Sequence, residues 1–177
     1  MRLRRYLKPL IRTVSILTAV AIFVLLTAVL FCSIKTLKYK NIVESISNEY
    51  DVDCNLVKAI IYIESGYNES AVSNKGAVGL MQVLPSTAEF ICGESIDLFD
   101  PQLNVYAGVK YLKYLLVKFD NLNVALAAYN AGEGNVSRWL NDKSLSRDGV
   151  TLDSIPFRET RKYVKKVVAV KKALSFL

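Results

Sequence analysis

The chain has 177 residues, room for one domain and a short appendage, with 23 Lys and Arg against 16 Asp and Glu. Residues 1–40 hold eight basic residues and no acidic one, so residues 41–177 carry 15 basic against 16 acidic and are nearly neutral, which argues against a nucleic-acid-binding domain. Histidine is absent, which excludes Ser-His-Asp and Cys-His nucleophile systems, HExxH zinc sites and imidazole proton relays.

Residues 1–12 form a basic segment with Arg2, Arg4, Arg5, Lys8 and Arg12. Residues 13–34 then run without a charge. At ~1.5 Å per helical residue they are long enough for the ~30 Å hydrocarbon core of a bilayer. Five basic residues precede the run and three follow it (Lys35, Lys38, Lys40), which predicts a cytoplasmic N-terminus and an exported remainder. An uncleaved transmembrane anchor is preferred to a cleaved signal peptide. The apolar run is long, and it ends Leu30-Phe31-Cys32-Ser33 without a pair of small residues at a cleavage site. Residues 35–40 serve as a short linker.

Cys32 lies in the apolar run and reads as a packing residue. Cys54 and Cys92 fall in the exported part, where a disulfide can persist. Their separation does not say whether their Cα atoms approach, and two separate thiols are the preferred reading.

Residues 41–177 show helical periodicity almost throughout and predict a compact, mainly α domain. Asp53 is placed to cap a helix over Cys54–Glu64 with Leu56, Ile60 and Ile63 on one face. Ser86-Thr87-Ala88-Glu89 has the form of a capping box opening a short helix. Asp100-Pro101 starts a longer one with a seam of Val105, Val109, Leu112, Leu116 and Phe119. Asn123–Ala131 is a short apolar helix stopped by Gly132. Asn141–Ile155 is polar and loop-like, with a short extended piece possible at Thr151–Ile155. A last helix begins near Pro156, with Tyr163, Val167, Val170, Leu174 and Leu177 as its seam.

Three places break these patterns. Glu64 closes the apolar run Ala59-Ile60-Ile61-Tyr62-Ile63, where a carboxyl has its proton affinity raised and suits general acid catalysis. The Gly76–Pro85 stretch sets Gln82, with its donors and acceptor, in an apolar run behind two glycines. Ala127-Ala128-Tyr129-Asn130-Ala131-Gly132 combines small residues with a ring and an amide, a mixture that suits a sugar.

Glu64-Ser65, Gly79-Leu80-Met81-Gln82, Ala127–Gly132 and Glu159-Thr160-Arg161-Lys162-Tyr163-Val164 occur in a recognisable order and spacing. From about Asn41 to about Val168 the chain resembles the catalytic domain of soluble lytic transglycosylases, the SLT domain, with a goose-type-lysozyme-like fold. The resemblance implies cleavage of the β-1,4 bond between N-acetylmuramic acid and N-acetylglucosamine in peptidoglycan, leaving a 1,6-anhydromuramoyl end. It implies that Glu64 is the single catalytic acid and base. Ser73 matches a serine near the substrate acetamido group, and Gln82 a glutamine beside the scissile bond. Tyr129 and Asn130 match residues bordering the glutamate, and Glu159 and Tyr163 the far wall of the cleft. Leu84 is a departure, where many relatives carry Met or another apolar residue, and it is expected to affect only subsite packing. The expected partners are peptidoglycan glycan strands and, through residues 13–34, the cytoplasmic membrane; no nucleic acid, cofactor or metal is expected. A water-using muramidase and a non-catalytic wall-binding protein are the alternatives.

Overall fold

The computed structural model describes Thr18, Val20, Ile22, Phe23 and residues 35–176. The chain divides into two units, Met1–Lys40 and Asn41–Leu177. In the first, the described residues are helical. The anchor expected at 13–34, Cys32 included, otherwise lies outside the described residues, and no helix among the described residues is long and apolar enough to cross a membrane.

The second unit is helical. Residues 41–49 form α1, followed by α2 (Cys54–Glu64), α3 (Pro85–Cys92), α4 (Pro101–Phe119), α5 (Leu122–Ala131), α6 (Glu133–Asn141) and α7 (Arg158–Leu174). Among the described residues the only extended pairing is two isolated antiparallel bridges, Val72 with Val78 and Val78 with Val83. Thr151–Ile155 makes no strand.

Local chemistry explains most boundaries. The Asp53 carboxylate accepts from the backbone N–H groups of Asn55 and Leu56 and starts α2. Asp100 does the same for Gln102 and Leu103 at α4, with Pro101 in the first turn. Asn121 caps α5 through Val124, so the helix begins at Leu122, one residue ahead of the expected start. The capping box expected at Ser86 does not form. Pro85 opens α3, Leu84 is the N-cap, and no side chain accepts there, because Pro85 already presets the first helical φ and places Ser86 inside the helix. α6 was not expected. Its Gly132-Glu133-Gly134 start reads as a break, yet Val136 and Trp139 bury one face and carry the helix.

The core centres on α5, which packs on α4, α6 and α7; α2 packs on α7, and α3 on α4. Ala125, Leu126, Ala127 and Ala128 are all fully buried, and the alanines let neighbouring helices approach closely. Ile60 and Ile61 of α2 and Leu112 and Leu115 of α4 are fully buried as well. Each such side chain contributes about 1.5–3 kcal/mol. The seams sit slightly off the expected ones: Ile63, Leu116, Val170 and Leu174 are only half-buried, while Val57, Ile61, Leu115 and Val164 are buried. Leu177 lies outside the described residues. Cys54 and Cys92 are unbridged thiols, both half-buried.

Candidate active site

α2 ends at Glu64, and its end is tied down. Ser65 donates its backbone N–H to Ile61 and its hydroxyl to the Leu80 carbonyl at 2.8 Å. The chain then turns through Gly66 and Tyr67, both at positive φ.

Leu80 belongs to a loop, residues 71–84, folded around the two β-bridges. Gly79 N–H donates to Ala71 O, and Val78 and Val83 exchange backbone hydrogen bonds. The loop is held from beneath by Asn104 of α4, which is fully buried. Its Oδ1 accepts from Met81 N–H at 2.8 Å, while its Nδ2 donates to Val78 O at 2.8 Å and Leu98 O at 2.9 Å. Gly79, at φ +77°, has no room for a Cβ, which would overlap the Asn104 amide and meet Leu98 O at 2.7 Å. Fully buried Met81 fills the space above Gly108, where a Cβ would meet its Sδ at 2.5 Å.

Above this floor lies a cavity of about 360 Å³ lined by Glu64, Ser73, Gln82, Tyr129, Asn130 and Glu159. The fold thus gathers six of the seven site residues expected from sequence. The seventh, Tyr163, does not line it; the residue is buried on α7 and its hydroxyl neighbours the Glu64 carboxyl.

Several of these side chains hold the site together as well as facing it. Tyr129 donates its hydroxyl to Met81 O at 2.9 Å, which leaves its ring to the cavity. Gln82, at φ 49°, donates its Nε2 to Ala71 O and Gly79 O, so its amide nitrogen serves the loop and Oε1 remains for a ligand. Ser73 Oγ accepts from Ala77 N–H and keeps its own proton to donate. Asn130 Oδ1 accepts from Thr160 Oγ1 at 2.8 Å and keeps its Nδ2 protons. What remains available is one acceptor and two donors around a carboxyl, a set that fits the hydroxyls and acetamido groups of a sugar.

The carboxyl itself is unusual. Burial pushes the Glu64 pKa up to about 7. The Tyr163 hydroxyl opposes that rise and the charge on Glu159 adds to it. The Tyr163 contact is loose: its buried hydroxyl has no partner within good hydrogen-bond geometry, although it lies close enough to favour the carboxylate. Tyr129 and Tyr163 are themselves held far above their usual values, first by burial and then by the Glu64 charge, so both stay neutral. Glu64 is therefore a half-buried carboxyl that holds a proton near neutral pH beside neutral Tyr129 and Tyr163, as a general acid requires.

Sequence reasoning missed Lys75, which lines this cavity and two adjoining ones. It also missed Tyr111, whose ring lies 5.6 Å from that of Tyr129 and whose pKa burial pushes up to about 12. Neither carries a local signal, since each reaches the cleft only through tertiary packing. Leu84 does line the cavity, as a departure in subsite packing requires.

Comparison with known proteins gives the same picture. The Transglycosylase SLT domain family matches residues 41–148. The soluble lytic murein transglycosylase of Escherichia coli K12 is 38% identical over 143 residues, covering 75% of this chain and 22% of that protein. The solved structure of an inactive Glu→Gln variant of the lytic transglycosylase Slt from Pseudomonas aeruginosa aligns with TM-score 0.65 at 31% identity, over 75% of this chain and 23% of its own. The 70-kDa soluble lytic transglycosylase in complex with bulgecin A aligns with TM-score 0.69 at 30% identity, over 80% of this chain and 25% of its own. The chain belongs to the transglycosylase SLT domain family, in its lysozyme-like fold. It spans 22% of the length of the Escherichia coli relative it matches.

Proposed function

We propose that residues 41–177 are a peptidoglycan lytic transglycosylase, cleaving the β-1,4 bond from N-acetylmuramic acid to N-acetylglucosamine and leaving 1,6-anhydromuramoyl ends. The observation that carries this is Glu64, a carboxyl whose pKa is pushed up to about 7 at the wall of a polar cavity. Protonated Glu64 donates to the glycosidic oxygen as the C1–O bond breaks. The substrate's acetamido group and the cleft dipoles support the oxocarbenium-like centre. Glu64, now ionised, takes the proton from the substrate's 6-hydroxyl, whose oxygen closes on C1. Intramolecular attack gains from high effective molarity and uses no bound water. Ser73, Gln82, Tyr129, Asn130 and Glu159 bind the sugars, and Tyr163 tunes Glu64 from behind.

A second reading has one observation in its favour. Glu159 lines the same cavity as Glu64, so a second carboxylate is present that could activate water, as in hydrolytic glycosidases. Glu159 is exposed where Glu64 is half-buried, which favours the single-carboxylate route. Glu64→Gln separates catalysis from scaffold. The variant is expected to release soluble muropeptides from purified peptidoglycan at least about a hundredfold more slowly than wild type. Near-normal release by the variant overturns the assignment. The similar enzyme from Pseudomonas aeruginosa is inactive as a Glu→Gln variant, which supports the choice.

The domain acts from outside the cytoplasmic membrane, tethered by residues 13–34 with residues 1–12 cytoplasmic and 35–40 as linker. The uncharged run and its five-against-three basic flanks support this topology. Protease added to intact protoplasts is expected to remove the domain, and full protection contradicts the topology.

A further inference from the structure

Charge is segregated within residues 41–177. Residues 41–157 carry 8 basic and 15 acidic side chains, whereas α7 carries seven cations and one acid, Glu159. Lys171 pairs with Asp53 at 2.9 Å. The other six cations (Arg158, Arg161, Lys162, Lys165, Lys166 and Lys172) are exposed, and none has a carboxylate partner among the described residues. At ~100° per helical residue the six fall within an arc of about 140° that holds no acid, while Tyr163, Val164 and Val167 face the opposite way and are buried. The 17 residues of α7 make this cationic face about 25 Å long.

Apolar groups accompany the cations. Phe157 precedes the helix and Phe176 follows it, and their side chains are 49% and 79% exposed. Beside the face lies a groove of about 420 Å³ whose lining includes Leu152, Ile155, Val168 and Ala169 together with Lys165 and Lys172. A wholly hydrophilic polyanion would leave this apolar surface in water. An anionic bilayer meets both kinds of group: headgroups pair with the cations, and the upper acyl region receives the rings and the groove. The tether read from residues 13–34 keeps a bilayer within reach, so no partner has to be recruited from solution. We infer that the exposed face of α7 docks on anionic lipid headgroups. The inference takes the bilayer from the tethered topology and draws nothing from the catalytic reading. Docking gives the domain one orientation, because residues 41–157 carry a net charge of the same sign as the lipid.

The test uses the full chain inserted in lipid nanodiscs, acetylated at lysine by a water-soluble reagent and read by peptide mass spectrometry. Discs of phosphatidylglycerol are compared with discs of phosphatidylcholine. Lys162, Lys165, Lys166 and Lys172 are expected to react at least about fivefold more slowly on the anionic discs, while Lys113 and Lys118 of α4 keep one rate on both. The protection should fade at about 0.5 M salt, where the screening length is roughly 4 Å. Lys165→Glu combined with Lys172→Glu should return Lys162 and Lys166 to their rate on phosphatidylcholine, and changes at such exposed positions leave the fold intact. Equal rates on the two lipids overturn the inference, and so does equal protection of the α4 lysines. Protection by a poly-glutamate peptide on phosphatidylcholine discs, with none from phosphatidylglycerol, would assign the face to an acidic protein partner and overturn lipid docking. A chain that elutes apart from both kinds of disc contradicts the tether, and the docking falls with it.

Discussion

The two walls of the cleft are built on different principles. The 71–84 loop, on one side, is fixed by buried polar bonds: Asn104 from below, Ser65 from the end of α2, Tyr129 from α5 and Gln82 from within. Ser73 and Gln82 are each partly occupied and keep one remaining group for a ligand, while Lys75 on the same loop is exposed. The other wall, the start of α7, is seated by the Phe157 ring edge-on against Trp139 and keeps free charges at Arg158 and Glu159. The difference is one of construction: the loop is held from within the fold, while the start of α7 leaves its charges exposed to solvent.

The comparison breaks most readily at Asn104. Asn104→Ala leaves the Met81 N–H and the Leu98 carbonyl without partners and strips one of two hydrogen bonds from the Val78 carbonyl, which keeps Val83 N–H. At about 1–3 kcal/mol for an unsatisfied buried group, the loss is expected to be roughly 3 kcal/mol or more, read by denaturant unfolding. Muropeptide release should fall with it, because Leu80, Met81 and Gln82 lose their common support. Unchanged stability and activity would show that the loop does not depend on this bond set.

Next in size is the cost of the catalytic carboxyl itself. Its folded pKa of about 7 lies above the ordinary glutamate value of 4.5. Below pH 4.5 both folded and unfolded states hold the proton. As pH rises through that value the unfolded chain releases its proton while the folded one keeps it, so stability falls until about pH 7 and is level beyond. Glu64→Gln removes that loss. The variant should be more stable than wild type by ~2–3 kcal/mol at pH 8 and no different at pH 4, measured by denaturant unfolding at both. An equal difference at the two pH values argues against a raised Glu64.

Much of this was legible in advance, for identifiable reasons. Asp53 and Asp100-Pro101 announce their helices because capping is local chemistry. Glu64, Gln82, Tyr129, Asn130 and Glu159 share a cavity, each carried by one of the recognisable blocks, and Ser73, outside those blocks, joins them there. Ser86 misled because Pro85, one residue earlier, is the stronger start signal. α6 was hidden because Gly134 sits inside it, tolerated through the burial of Val136 and Trp139. Asn104 gave no sign, since an asparagine within a helix reads as indifferent until the loop it supports is seen. Tyr163 was expected on a cleft wall, but its seam position on α7 buries it behind Glu64.

Tyr163 gives a smaller and sharper test. Its hydroxyl favours ionised Glu64 without making a well-formed bond. Tyr163→Phe should move the alkaline midpoint of kcat/KM upward with little loss of stability. A downward move contradicts the assigned direction. The smallest effect is expected in the 142–157 segment, outside the cleft. Arg147→Ala removes an exposed pair and should leave the thermal midpoint and the rate on peptide-free glycan unchanged. A large loss of stability would make that segment as firmly built as the loop.

The account turns on one carboxyl acting first as acid and then as base, with the substrate's own hydroxyl as nucleophile. Digesting purified peptidoglycan with the wild-type chain, reducing with borohydride and weighing the muropeptides tests this directly. Anhydro ends take up neither water nor hydride, so the products should be about 20 Da lighter than reduced hydrolysis products, and Glu64→Gln should give none. Muramic ends that are all reducible would mean that water is the nucleophile and would contradict the mechanism.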